Sequence, residues 1–281
     1  MILIADGGST KTDWVLYDKE KDSISLRIKT QGFNPTLQSS NEIYTILLNE
    51  IADKIDATLI ETIFYYGAGC AYSEANKRMF DALKEAFGTD NIEINSDLLA
   101  AARALCGHDE GIACILGTGS NSCLFDGPDI VDNTPSLGYI LGDEGSGAAL
   151  GKRLVSDCLK KQLSPALTKK FLEKYNLTTA GILEQVYHKP MPNRYLAQFA
   201  PFLAENRKEA EVQAILKHCC TLFFQRNTMV YRRSWLPIHI VGGIGISFAN
   251  ELKETAESLG LSIGNIVESP MEGLIKFHSN N

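Results

Sequence analysis

Acidic residues set beside glycines are the chemistry-bearing feature of this sequence. In Asp6-Gly7-Gly8-Ser9-Thr10-Lys11-Thr12 an aspartate ends an apolar run, where an unpaired carboxylate costs desolvation energy unless a cation or hydrogen-bond donors face it. A Mg²⁺ ion held by Asp6, directly or through water, would answer that cost. Gly7 and Gly8 permit a close turn, Thr10 and Thr12 bring hydroxyls, and Lys11 can neutralise phosphate charge. The G-x-x-x-x-G-K-[ST] spacing of a Walker A loop occurs nowhere, so a different phosphate grip is implied. A second string, Gly117-Thr118-Gly119-Ser120, has the same small-residue character. Each tip lets backbone N–H groups approach an anion without Cβ obstruction; taken singly, each is also an ordinary hairpin turn.

Further candidates follow along the chain. Asp97 stands between the β-like run IEIN and the helix-like run DLLAAARAL, so on residue type alone it reads first as a helix N-cap. Asn34, in GFNP, reads first as a turn residue bonding its own loop. Asp143 and Glu144, in GYILGDEGSGAALG, stand just before a helix, where acids complement the dipole. VGGIG, with Gly242, Gly243 and Gly245, follows the strand-like IHIV and precedes a helix. With Glu268 a little over twenty residues on, it is a weak dinucleotide-type signal that leaves the first two hairpins unexplained. Cys219-Cys220, Phe223-Phe224 and Trp235 read as packing, and Tyr231-Arg232-Arg233 as the basic end of a helix.

The elements that must position these residues repeat. ILIADGGSTKTDWVLYD and ACILGTGSNSCLFDG both read as strand, small-residue turn, strand, about 110 residues apart. The first is followed by ISLRIK, a helix near Glu42 to Ile55, TIFYYGA, a helix near Ser73 to Phe87, and IEINSD. The second runs mostly helical from about Gly145 to Arg232, then through IHIVGGIG, a helix to about Leu259, NIVES, and a last helix near Met271 to His278. An α/β protein of two similar domains is expected, residues 1–110 and 111–281, with the last helix free to pack back on the first.

The 281 residues are 44% apolar and 22% charged, the composition of an ordinary folded chain of about two domains. A net charge of −7 opposes attraction to nucleic acid or anionic lipid. No apolar run approaches a membrane span and MILIADGG lacks a signal-peptide pattern, so a cytoplasmic location is expected. Cys70, Cys106, Cys114, Cys123, Cys158, Cys219 and Cys220 contain no CxxC pair and read as buried thiols. The five histidines show no zinc spacing.

DGGSTKTD, GTGS, LGDEGSGAALG and VGGIG, in that order from Asp6 to about Ser269, resemble the actin, sugar-kinase and heat-shock ATPase superfamily. Within it they are similar to the BadF/BadG/BcrA/BcrD-type ATPases, which include N-acetylglucosamine kinases. The resemblance implies two ribonuclease H-like domains with ATP in a nucleotide-binding cleft between them. It assigns the ATP phosphates and Mg²⁺ to Asp6–Thr12 and Gly117–Ser120, and the adenosine to Gly242, Gly243 and Gly245. It makes Asn34 a ligand of sugar hydroxyls and Asp97 the base that accepts the sugar hydroxyl proton, in a local Asn95-Ser96-Asp97 string where the family commonly has Asn-Asp. It lays Gly138, Tyr139, Leu141, Gly142 and Asp143 against the sugar and its acetamido group, with Tyr139 where tryptophan is usual.

The activity so implied is ATP-dependent phosphorylation of the 6-hydroxyl of N-acetylglucosamine or a close amino sugar. The partners implied are ATP and that sugar, without nucleic acid or membrane, and with room for a homodimer. Two rivals share the fold. An ATPase activator of a hydroxyacyl-CoA dehydratase or benzoyl-CoA reductase would hold a [4Fe–4S] cluster through exposed interface cysteines, and its NDKCAAGTG-type string is missing. A non-catalytic sugar or nucleotide sensor often carries a DNA-binding segment, for which five residues before Asp6 leave no space.

Overall fold

The computed structural model of the chain describes residues 1–8, 11–70 and 72–279. The chain divides into two compact units: Met1–His108 joined by the C-terminal segment from Ser269, and Asp109–Glu268.

In the first unit, β1 (Ile2–Gly7), β2 (Lys11–Asp18), β3 (Ser23–Gln31), β4 (Thr62–Gly67) and β5 (Ile92–Ser96) form a sheet of order β3-β2-β1-β4-β5. β1 pairs antiparallel with β2 and parallel with β4, which pairs parallel with β5. The central strand β1 is apolar from Ile2 to Ala5 because both its faces are covered. Leu3 and Ala5 point into a cluster with Trp14, Tyr65 and the helical residues Ile43, Leu47, Met79 and Leu83. Ile2 and Ile4 point the other way, against Val15, Tyr66, Met271 and Leu274. The first face is covered by α1 (Ser40–Glu50) and α2 (Ser73–Phe87). Ser39 and Glu42 close a capping box at the start of α1, and Gly88 ends α2 in the left-handed region. The second face carries α3 (Asp97–Cys106) and the C-terminal helix Met271–Ser279.

The second unit repeats the plan. β6 (Gly111–Leu116), β7 (Ser120–Phe125), β8 (Ile130–Thr134), β9 (Ile238–Val241) and β10 (Ile263–Val267) run in the order β10-β9-β6-β7-β8. The pairing is again antiparallel through β6, β7 and β8 and parallel through β6, β9 and β10. Between β8 and β9 come α4 (Gly138–Leu141), α5 (Gly147–Leu159), α6 (Pro165–Lys174), α7 (Thr179–Tyr187), α8 (Pro192–Ala197), α9 (Ala200–Glu205) and α10 (Ala210–Phe223). After β9 come α11 (Gly243–Ser247) and α12 (Ala249–Ser258), and the C-terminal helix is α13. The inserted helices have their own core around Phe171, Phe199, Phe202 and Leu216. α10 and α12 cover one face of the sheet through Phe223, Phe224 and Leu252.

All seven cysteines are buried and free of disulfides, and all but Cys70, which lies in a turn, stand in strands or helices. No helix among the described residues is long and apolar enough to cross a membrane.

In the first unit α13 lies on α3 at a close crossing, where a Cβ added at Gly273 would stand 2.3 Å from the Ala104 carbonyl oxygen. Gly273→Ala should therefore lever α13 off the sheet and cost about 1–3 kcal/mol, read as a lower denaturant midpoint. An unchanged midpoint would contradict the close packing.

Candidate functional site

The sheet edge of the first unit gathers the first set of candidates. β1 ends on Asp6 and Gly7, with Gly7 opposite Thr12 on β2 and Gly67 on β4, and Gly67 in turn opposite Ser96 on β5. Parallel neighbours thus bring Asp6 and Asp97 to the same C-terminal edge, where open α/β sheets bind ligands. The Gly8 N–H donates to the Lys11 carbonyl at 2.9 Å. Thr10 lies outside the described residues. Lys11 is exposed, whereas Thr12 is fully buried.

Gly7 answers a second demand, one the motif does not reveal. A Cβ there would stand 2.4 Å from the Tyr65 hydroxyl oxygen, and a Cβ at Gly67 would stand 2.5 Å from the Tyr65 ring. The buried Tyr65 ring therefore requires both glycines, independently of any ligand.

Asp97 is not the helix cap that its residue type indicates. Ser96 takes that place, its hydroxyl accepting the Leu99 N–H at 3.2 Å, and Asp97 is the first helical residue. Its side chain is left uncommitted to capping, and burial raises its pKa against the pull of its own and the Leu98 backbone N–H groups. Asp6 is pushed up to about 7, first by burial, then by the charges of Asp97 and Asp13, with Lys11 opposing. A buried carboxylate raised by neighbouring carboxylates is relieved by a proton or by a hard cation.

The Asn34 loop is held beside this edge. A Cβ at Gly69 would stand 3.7 Å from the Asn34 side-chain oxygen, and the next residue, Cys70, is electrostatically coupled to Asp97. Asn34 Oδ1 accepts from the backbone and the hydroxyl of Thr36, at 3.2 and 2.5 Å. The loop-bonding role is thus real, and it engages Oδ1. Arg78 on α2, a residue without any motif signal, steadies the loop by donating to the carbonyls of Pro35 and Thr36 at 3.1 and 3.3 Å.

In the second unit the hairpin tip between β6 and β7 is closed by the Gly117 N–H, which donates to the Gly119 carbonyl at 3.0 Å. The tip carbonyls are taken up by α5: Gly147 N–H reaches Gly117 O at 2.9 Å and Ala148 N–H reaches Thr118 O at 3.0 Å. Asp143 joins this hairpin. Its carboxylate accepts the Ser120 N–H at 3.1 Å and packs on Gly119, where a Cβ would stand 3.0 Å from Oδ1. Burial and neighbouring Glu144 raise its pKa. Its backbone is left-handed, at φ 57°, a conformation that aspartate tolerates better than most residues. Among the described residues, the buried Ser120 hydroxyl has no hydrogen-bond partner.

Gly138 opens the short helix α4, and the Gly142 N–H donates back to the Gly138 carbonyl at 2.8 Å. Tyr139 packs against the helical core, while Leu141 is 69% exposed. Glu144 is held by Arg226 and, at 3.4 Å, by Asn227 Nδ2. Both partners belong to the π-helical turn Phe224–Thr228 that follows α10, a type of irregularity frequent at functional sites. Sequence reading missed this pair because a π-turn has no compositional signature.

A groove of about 500 Å³ in the second unit joins the hairpin tip to the late glycines. Gly117 and Thr118 stand at its hairpin end; Gly243, Ile244 and Ser247 of α11 and Ala200, Pro201 and Ala204 of α9 line it. The VGGIG glycines divide their tasks. Gly243 lines the groove with no atom within 4 Å of where its Cβ would be. Gly242 adopts φ 123° and passes 2.3 Å from the Leu116 carbonyl at that position. Gly245 does not face the groove; it admits Ile240, 2.6 Å from its absent Cβ, so that α11 can lie on β9.

The coupling of Asp6 sets a pH dependence. Its folded value, about 7, lies above the ordinary 3.8, so the folded chain binds the extra proton between those limits. The stability it contributes is complete below about pH 4 and is lost as pH rises towards 7, at up to about 1.4 kcal/mol per pH unit. Without divalent cations, wild type should therefore lose stability relative to Asp6→Asn over pH 4–7, and Mg²⁺ at pH 7 should restore it in wild type only. Parallel curves for the two proteins in urea titrations would contradict the coupling.

The sequence model of the BadF/BadG/BcrA/BcrD ATPase family matches residues 5–267. A solved structure from Porphyromonas gingivalis, whose N-acetylglucosamine kinase activity is itself inferred, is 46% identical, with a TM-score of 0.95 over 100% of this chain and 99% of that one. A Chromobacterium violaceum structure described in the same inferred terms is 18% identical, at a TM-score of 0.76 over 99% of both chains. A ROK family glucokinase from Streptomyces griseus, solved with glucose and AMPPNP, is 13% identical, at a TM-score of 0.61 over 98% of this chain and 97% of that one. The last two share the fold. No curated protein matches the chain. With the family pattern spanning nearly its whole length, the chain belongs to the BadF/BadG/BcrA/BcrD ATPase family.

Proposed function

We propose that the protein is an ATP-dependent sugar kinase that phosphorylates the 6-hydroxyl of N-acetylglucosamine or a related amino sugar. The observation that carries this reading is the state of Asp97: released from capping by Ser96, desolvated, and electrostatically coupled to Asp6. A carboxylate so placed accepts a hydroxyl proton, and one with a raised pKa does so more readily near neutrality. Phosphoryl transfer asks the protein mainly for positioning and charge stabilisation, which buried carboxylates and glycine-rich tips can supply.

In this reading the sugar hydroxyl donates its proton to Asp97 as its oxygen bonds to the γ-phosphorus. The bond from that phosphorus to the β,γ-bridging oxygen breaks, and ADP leaves. Asn34 Nδ2 holds a neighbouring hydroxyl. Asp6 would hold Mg²⁺, which when bound neutralises phosphate charge. In the second unit the nucleoside would occupy the groove between α9 and α11, with its phosphates towards Gly117–Ser120. Asp143 would fix that tip through Ser120, and Tyr139 with Gly138, Leu141 and Gly142 would meet the acetamido group.

The apolar lining and volume of the groove suit an adenosine. The 46% identity to the Porphyromonas gingivalis protein supports an amino sugar as substrate. Cys123 and Cys158, the thiols an iron–sulfur activator would need at a subunit interface, are buried within β7 and α5. We place the protein in the cytoplasm, where ATP and free amino sugars meet.

ADP release should be followed with Mg·ATP against N-acetylglucosamine, N-acetylmannosamine, glucosamine and glucose. Turnover confined to the acetamido sugars is expected, with kcat lowered roughly 100-fold or more in Asp97→Asn. Sugar-independent ATP hydrolysis that survives Asp97→Asn would overturn the kinase reading.

A further inference from the structure

The groove of the second unit is lined by the C-terminal ends of two short helices, and one side chain ties those ends together. α9 has six residues and α11 has five, so each leaves terminal carbonyls without a partner inside the helix. Arg207, just beyond α9, supplies partners to both. Its Nε donates to the Ala204 carbonyl at 3.0 Å and a terminal nitrogen donates to the Ser247 carbonyl at 2.9 Å. Its other terminal nitrogen stands 3.7 Å from the Glu251 carboxylate on α12. Ala204 and Ser247 both line the groove. The planar guanidinium fork can meet two carbonyls and a carboxylate at once, which an ammonium on a flexible stem cannot do in the same geometry.

We propose that Arg207 is a positioning residue for the nucleotide, setting the spacing of α9 and α11 and hence the fit of the nucleoside between them. The inference rests on the groove being the nucleoside site. It assigns to Arg207 no contact with the reacting atoms. Loosening the two helix ends widens or closes the groove without disturbing Asp6, Asn34 or Asp97 in the other unit.

The test compares wild type, Arg207→Met, Arg207→Lys and Gly243→Leu for ADP binding by calorimetry, and for turnover with Mg·ATP and N-acetylglucosamine. Arg207→Met should weaken ADP about tenfold, equivalent to about 1.4 kcal/mol, and raise KM for ATP by a similar factor. KM for the sugar and kcat should stay within about twofold, and the lysine variant should not restore the affinity. A purely structural role would lower kcat through the active fraction and leave KM for ATP unchanged, which would overturn the proposal. Gly243→Leu fills the groove from a position with open space, and so examines the underlying reading separately. Loss of ADP binding in Gly243→Leu with wild-type affinity in Arg207→Met would refute the strap alone. Wild-type affinity in both would refute the groove as the nucleoside site, and the strap with it.

Discussion

The structure turns on the burial of two carboxylates at one sheet edge. Asp6 lies near the end of β1 and Asp97 directly follows β5, and β4 between these strands brings both C-terminal ends level. A buried like-charge pair is unfavourable by itself, and the surrounding packing must hold it in place. The covered faces of β1, the Tyr65 ring against Gly7 and Gly67, and the Ser96 cap all contribute to that restraint. The unfavourable charge is what a proton or a cation relieves.

The second unit applies the same strand plan to a different end. Its hairpin tip has its carbonyls bound by α5 and one N–H bound by Asp143, which leaves a rigid turn in place of a carboxylate pair. The helices inserted between β8 and β9 supply the groove walls, and Arg207 joins them. The same strand order thus carries buried carboxylates in one unit and an apolar groove in the other.

Much of the fold was legible because its signals are local and strong. The apolar run of β1, the repeat of strand, glycine turn and strand, and the periodic α2 all appear where periodicity places them. The edge strand β8 was not legible, because IVDNT is short, polar and mostly exposed. The sequence reading ran the first helix on to Ile55, whereas α1 stops at Glu50 and a short 3₁₀ turn follows. At the site, Asp6 and Asp97 could be picked out by type and position, but not their coupling, which depends on strand order. Asp97 as a cap was a reasonable inference that failed because Ser96 competes for the same role one residue earlier. Tyr65, Arg78, Arg226 and Arg207 carry no motif and act only through tertiary geometry.

Carboxyl-carbon NMR titration of the metal-free protein measures the central pair directly, with Asp6→Asn and Asp97→Asn to assign the resonances. Asp6 should titrate near 7, Asp97 should titrate above the usual aspartate range, and Asp97→Asn should lower Asp6. Two independent titrations near pH 4 would contradict this, since carboxylates that ionise freely in the fold are neither desolvated nor coupled.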